Sequence, residues 1–206
     1  GHKAYASVAY ANREPERNNF TDNSSAALPK AEHLFDTELG YQYRTANWYA
    51  SANLYYMRYI NQFVMTGAKS DIGEAITSNI KNSYRLGAEL SAGWSPLQWL
   101  SLEGNAALSQ NKLKNFTEEV EAWDTEAVHN TYAKSTLSYS PSAILNGFVD
   151  VHFGGFSATW HTNFVSRQYL DNTESSERSI PSYSQTDLAF NYTSKVSKAL
   201  GMKQVT

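Results

Sequence analysis

The sequence predicts an all-β fold, the wall of an up-and-down antiparallel transmembrane β-barrel. Three observations lead there. Hydrophobicity alternates with period 2 along most of the chain, hairpins close in registers that separate an apolar from a polar face, and short turns alternate with long polar loops. Successive side chains of a strand point to opposite faces, so a one-residue slip in any hairpin would mix the two sets. Each register is therefore a test.

The first hairpin, residues 32–65, turns at Ala46-Asn47. That turn sets Tyr43 opposite Ala50, Tyr41 opposite Ala52 and Leu39 opposite Leu54 on one face. Arg44 with Tyr49, Gln42 with Ser51 and Gly40 with Asn53 fall on the other. The second hairpin turns through the Pro96 segment, 95–99. It sets Leu86, Ala88, Leu90, Ala92 and Trp94 against Leu100, Leu102, Gly104, Ala106 and Leu108. Arg85, Gly87, Glu89, Ser91 and Gly93 share its polar face with Ser101, Glu103, Asn105 and Ser109. The third turns at Gly154-Gly155, a two-residue hairpin signal. Phe153 then meets Phe156, Val151 meets Ala158 and Val149 meets Trp160, with Asp150, His152, Ser157, Thr159 and His161 behind.

Further strands are predicted at 3–13 and 183–192, with a last one starting near Gly201; the segment 48–65 is the longest. Long polar loops are expected at 14–31, 66–82, 112–141 and 171–181, and short turns at the opposite ends, including 194–200. Counting 131–140 as a wall strand would put Gly154-Gly155 on the long-loop side, so this segment is assigned to the loop as an extension of the sheet above the membrane. Trp48, Trp94, Trp99, Phe153 and Phe156 lie beside short turns. Tyr10, Phe35, Tyr56, Phe63, Tyr169 and Tyr183 lie near the long-loop ends. Two aromatic bands flanking Leu, Ala and Val are what two lipid interfaces demand. A soluble β-sandwich also has one apolar face per strand, but strand length, loop asymmetry and the two bands favour the barrel.

Composition narrows the function classes. The 206 residues are 41% apolar and 18% charged, with fourteen tyrosines and a net charge of −3, so no basic field points to nucleic acid. The absence of cysteine excludes disulfides, thiolate metal sites and a cysteine nucleophile. No apolar run is long enough for a transmembrane helix, which leaves barrel strands open. The chain has no signal peptide, begins inside an alternating segment and ends without a cap, and so reads as cut from something longer.

Candidate site residues follow from the registers. Arg85, Glu89 and Glu103 face inward, where charge meets water or protein and not lipid. Trp123 sits in the longest loop beside Glu118, Glu119, Glu121, Asp124 and Glu126, and loop aromatics often stack on ligands. Such an acidic run is more often solvated loop charge than a ligand contact. His152 and His161 share a face but stand several pairs apart, too far to share a metal, and no metal site or cofactor is expected. Glu89 and Glu103 on neighbouring strands lack a cleft for glycosidase chemistry, and no nucleophile elbow, phosphate loop or zinc-helix motif occurs. The chain is not expected to be an enzyme.

Several segments resemble the C-terminal barrel region of Bacteroides-type TonB-dependent receptors. Arg13-Glu14-Pro15-Glu16-Arg17 with Asn18 is similar to their Arg-Glu-Pro-x-Arg loop start. Pro29-Lys30-Ala31-Glu32 followed by Glu38-Leu39-Gly40-Tyr41 resembles their Pro-x-x-Glu and Glu-Leu-Gly-Tyr signature. The stretch from Asn53-Leu54-Tyr55-Tyr56 through Tyr59-Ile60-Asn61-Gln62 resembles a tyrosine-rich family strand. Arg85-x-Gly87-x-Glu89 and Tyr169-Leu170-Asp171-Asn172 resemble two later segments, and the matches run in the family's order.

The resemblance implies that residues 1–206 are part of a larger, 22-stranded barrel, with the plug domain and terminal strand absent. It implies import of a scarce ligand (an iron–siderophore, haem, cobalamin or glycan) across the bacterial outer membrane. The implied partners are outer-membrane lipid, the plug of the same receptor, TonB acting through that plug and the small imported ligand, with no nucleic acid. Two other readings stand beside it: a soluble all-β carbohydrate-binding module using Trp123, Tyr132 and loop tyrosines, and a smaller complete barrel. An isolated nine-strand wall would leave two edges and an apolar face bare, and would associate in water.

Overall fold

The computed structural model describes residues 1–21, 28–70, 72–120, 126 and 128–193. They form one long antiparallel sheet built in chain order: β1 (His2–Arg13), β2 (Glu32–Arg44), β3 (Trp48–Lys69), β4 (Ala75–Leu97) and β5 (Leu100–Val120). Beyond β5 lie β7 (Ala143–Phe153), β8 (Phe156–Val165) and β11 (Tyr183–Tyr192), while β6 (Val128–Thr136) pairs with the upper half of β5. A short helix, α1 (Arg17–Thr21), and a two-stranded piece, β9 (Gln168–Tyr169) with β10 (Ser179–Ile180), complete the elements. Among the described residues the sheet does not close, and β1 and β11 are its edges.

The first and third hairpin registers stand residue for residue; the second keeps its faces, but β4 runs on to Leu97 with a register shift between Trp94 and Leu97, inside the segment expected to turn. Tyr43↔Ala50, Leu39↔Leu54 and Gly40↔Asn53 pair in β2–β3. Leu90↔Ala106 and Ala92↔Gly104 pair in β4–β5, and Phe153↔Phe156 and Val149↔Trp160 in β7–β8. The β3–β4 register carries the separation onward by pairing Ala52 with Leu90 and Asn53 with Glu89. One face of the wall is thus apolar and the other polar across consecutive strands. The strand at 201 and the turn at 194–200 lie outside the described residues.

On the polar face, glycines are matched to tyrosines on the neighbouring strand. Tyr5 lies over its partner Gly40, Tyr49 over Gly93 and Tyr55 over Gly87, where a Cβ would collide with the ring in each case. Tyrosine rings laid over glycines cover backbone that would otherwise be bare, and the missing Cβ lets the strands coil. Gly104 stands outside this pattern: a Cβ there would meet only the Asn146 carbonyl at 3.5 Å, an ordinary contact. The difference is one of face, because Gly104 sits opposite Ala92 on the apolar side where no tyrosine overlies it.

At the upper end, two expected polar loops are mostly strand. β3, β4 and β5 are 22, 23 and 21 residues long and take up much of 66–82 and 112–141, leaving tighter connections than the sequence suggested. Segment 131–140 does extend the sheet, since β6 pairs Thr136 with Lys112 and Val128 with Val120.

The alternation inverts along a line across these strands. Asn61 and Asn115 both have a left-handed φ of 55°, a conformation asparagine tolerates better than most residues. Buried positions then step by three: Ser83 to Ile80 on β4, Leu113 to Phe116 on β5 and Ser135 to the half-buried Tyr132 on β6. Asn61 falls between the pairs Ile60↔Asn82 and Gln62↔Ile80, and Asn115 between Lys114↔Lys134 and Phe116↔Tyr132, so the irregularity is shared. Pairing of β4 with β5 stops at Asn82↔Lys114. Beyond it Val64 and Ile80 pack on Leu113 and Phe116, flanked by Tyr132 and Leu137. Each such buried side chain contributes on the order of 1.5–3 kcal/mol.

Gly87→Ala should destabilise the folded protein by about 1–3 kcal/mol, the usual range for overpacking. The added methyl meets both the Tyr55 ring and the Leu108 carbonyl oxygen, the latter at 2.6 Å, and backbone cannot swing aside. Gly104→Ala should be near neutral. Thermal unfolding of the two variants in the same micelles checks the contrast, and equal losses would contradict it.

Candidate functional site

Cross-strand register gathers the polar face into rows. Asp36, Met57, Arg85 and Asn111 form one, and Glu38, Tyr55, Gly87 and Ser109 the next. Gly40, Asn53, Glu89 and Ala107 form a third. Side chains from these rows line a cavity of about 350 Å³, bordered above by Tyr139, Ser140 and Pro141. The Arg85 guanidinium lies 5.5 Å from the centre of the Tyr59 ring, and Asn53 Nδ2 donates to Glu89 Oε2 at 3.4 Å. Arg85 Nε, Asn53 Oδ1 and Asp36 Oδ1 are buried without a hydrogen-bond partner. One donor and two acceptors left unpaired in a small region make a wall suited to a polar partner, because burying them unmatched costs about 1–3 kcal/mol each.

Of the residues singled out from sequence, Arg85 and Glu89 share this cavity. Glu103 is not part of it. It stands opposite Gly93 and Phe148 nearer the short turns, and lines a separate concavity with Tyr49 and Gly93. Trp123 lies outside the described residues, as do Glu121 and Asp124. His161 stacks on Phe148 at 4.3 Å and lies 3.2 Å from Asn146 Oδ1, away from His152, whose partner is Ser157. Sequence reasoning missed Asp36, Glu38 and Asn111. Their signal was available, since all three occupy the polar face, Asp36 and Asn111 in the row of Arg85 and Glu38 in the next.

A second constellation sits above, where segment 166–182 folds onto β6 and its neighbours. Asn172 is 1% exposed and joins two distant segments: its Nδ2 donates to Met65 O and its Oδ1 accepts from Ser138 N, both at 2.8 Å. Arg178 donates to Glu118 at 2.8 Å and to Asp171 at 2.9 Å. Glu118, read from sequence as loop charge available to solvent or a ligand, is 4% exposed, and it also accepts from Tyr132 and Asn130. It is a structural anion. The inversion of alternation turned it inward, which is why the linear pattern misplaced it.

Glu174 completes the strap by accepting from Lys112 and Thr136. Burial pushes its carboxyl upward, but the hydrogen bonds from Lys112 and Thr136 outweigh it and hold the group below the ordinary carboxylate value. For Arg178, the hydrogen bond to Glu118 outweighs burial and holds its already high value higher still. Burial, followed by the hydrogen bond to Glu118, raises the Tyr132 phenol.

Two outcomes follow for the strap. Asn172→Ala should destabilise it by about 1–3 kcal/mol, because a half-buried carbonyl and a buried N–H both lose their partner. Hydrogen exchange of 168–180 should then rise while the wall strands keep their protection. A carboxyl with a depressed folded pKa stabilises above its unfolded value and loses that contribution as pH falls through the folded one. The melting-temperature gap between wild type and Glu174→Gln should therefore be largest near neutrality and shrink only on acidification below the ordinary carboxylate range, as pH falls through the depressed folded value. A gap that widened on acidification would contradict the assignment.

Residues 1–205 match the family described as TonB dependent receptor-like, beta-barrel. No curated protein sequence matches the chain. Among solved structures, the copper transporter OprC superposes with a TM-score of 0.68 at 16% identity, over 93% of this chain and 29% of its own. The ferric yersiniabactin uptake receptor FyuA from Yersinia pestis gives 0.63 at 18%, over 93% and 27%. The FrpB iron transporter from Neisseria meningitidis gives 0.61 at 15%, over 93% and 30%. The chain spans less than a third of each of these structures, and at such identities the likeness shows the fold alone. The family match covers nearly every residue, and the chain belongs to the TonB-dependent receptor β-barrel family.

Proposed function

We propose that this chain is part of the wall of a TonB-dependent receptor in the bacterial outer membrane, with the apolar face against lipid and the polar face toward the lumen. The observation that carries the reading is the bare apolar face. Leu39, Leu54 and Trp160 are 59%, 54% and 53% exposed on that face, side by side with many other large apolar side chains. A soluble carbohydrate-binding sandwich would cover this surface with a second sheet, and among the described residues no sheet does so. A contiguous apolar surface of this extent is stable against hydrocarbon and not against water.

In this reading Arg85, Glu89 and Glu103 line the lumen, where they meet the plug or a passing ligand, and the protein is a transporter component and not an enzyme. Residues 1–206 form one stretch of barrel wall. The imported ligand is small and scarce: an iron–siderophore, haem, cobalamin or glycan. Copper and ferric yersiniabactin, named for two structural neighbours, support a metal or metal chelate as the first class to test. TonB acts through the plug. The Arg13-Glu14-Pro15 and Glu38-Leu39-Gly40-Tyr41 segments support the Bacteroides-type branch.

Fractionation of cells producing the protein should place it in the outer membrane, soluble only in detergent and changing its electrophoretic mobility on heating. Brominated lipid should quench the fluorescence of Trp48, Trp94 and Trp160. A monodisperse monomer in detergent-free buffer with no quenching would sink the proposal.

A further inference from the structure

The upper rim of the apolar face carries cations without carboxylate partners. Lys114 pairs directly with Lys134 across β5–β6, and Lys134 Nζ lies 5.9 Å from the centre of the Tyr84 ring. Arg58 is the cross-strand neighbour of Tyr84. Tyr84 lies beside Tyr56, with ring centroids 6.3 Å apart, and its hydroxyl donates to Gln110. These contacts place Arg58, Lys114 and Lys134 on the apolar face. All three side chains are exposed and none forms an ion pair among the described residues. Lys112, between them, is already neutralised by Glu174.

Height and cost both point to an anion. Trp48, at the start of β3, and Arg58 are ten residues apart on one strand, the length that a tilted barrel strand needs to cross the hydrocarbon layer. If Trp48 marks one interface, Arg58, Lys114 and Lys134 stand at the headgroups of the other. Like charges directly opposite on paired strands are destabilising. The fold carries that cost at Lys114 and Lys134 unless something negative lies between them.

We infer that Arg58, Lys114 and Lys134 form a binding site on the outer wall for a phosphate-bearing lipid headgroup of net negative charge in the outer leaflet. The aliphatic stems of the lysines lie along the apolar rim while their ammonium groups reach the phosphate, with Tyr84 beneath. The inference rests on the outer-membrane reading above.

The test uses the purified full-length protein in neutral detergent micelles, titrated with phosphatidylglycerol, phosphatidylcholine or inorganic phosphate while thermal unfolding is followed. Phosphatidylglycerol should raise the melting temperature in a salt-sensitive way. Phosphatidylcholine and inorganic phosphate should not. Lys114→Gln and Lys134→Gln should each weaken the half-saturating response to phosphatidylglycerol about fivefold, in line with the worth of one basic residue at an anionic surface. Each should also melt no lower than wild type without lipid, because the like-charge pair is gone. Lys3→Gln, remote from the site on β1, should leave the response unchanged. An unaltered response in both lysine variants, an equal response to phosphatidylcholine, or an equal response to inorganic phosphate overturns the proposal. Loss of the detergent requirement would instead fail the outer-membrane reading itself, so the two failures are distinguishable.

Discussion

The lateral hydrogen-bond ladder, with its fixed register, is the constraint on which the rest of this molecule depends. A sheet one layer thick has no opposite sheet to correct it. Each strand must inherit the correct face from its neighbour, and one slipped pair would send apolar side chains to the polar side for every strand beyond. The β3–β4 pairing is the longest run of that inheritance, from Trp48↔Trp94 to Lys69↔Ala75, and it passes the separation set in the first hairpin to the second. The tyrosine–glycine pairs belong to the same logic. They fill the polar face where the backbone must coil, using rings anchored one strand away, so that curvature does not leave bare backbone.

Much of this was legible in the sequence because it is local. Ala46-Asn47, the Pro96 turn and Gly154-Gly155 are punctuation, and once the turn is fixed the flanking residues have no freedom of register. Arg85 and Glu89 could be put on the polar face for that reason alone, and they do line one cavity. Glu103 obeys the same parity yet falls outside it. Parity assigns a face; the height of a residue along its strand decides what it meets.

The upper end was not legible, and the reason is physical. Period-2 reading assumes extended backbone, and a left-handed residue breaks the assumption without leaving a hydrophobic signature. Asn61 and Asn115 look like ordinary polar residues in polar surroundings. Past them the buried set changes parity: Thr66 and Glu118 are buried where a linear reading expects solvated loop, and Gln62 where it expects the apolar outer face of a strand. The strap posed a second difficulty. Asn172 draws its partners from Met65 and Ser138, and Arg178 reaches Glu118, so its meaning is carried by contacts far apart in sequence.

The inversion line also organises function along the strand axis. Below it, the side chains are sorted by face, apolar on one side and polar on the other. Above it, the hairpins β3–β4 and β5–β6 fold against each other around Leu113 and Phe116, so the molecule acquires a small core and polar groups are buried in pairs. The strap is tied to this end of the sheet, where Glu118 pairs with Arg178 and Ser138 N donates to Asn172. The rim of unpaired cations lies at the boundary, in the last rows where the apolar face is still continuous. A wall that changes its packing at one level needs its position in the membrane defined at that level. On the outer-membrane reading proposed above, the charged rim and the aromatic girdles hold it from the outside, as the asparagine line marks it within the sheet.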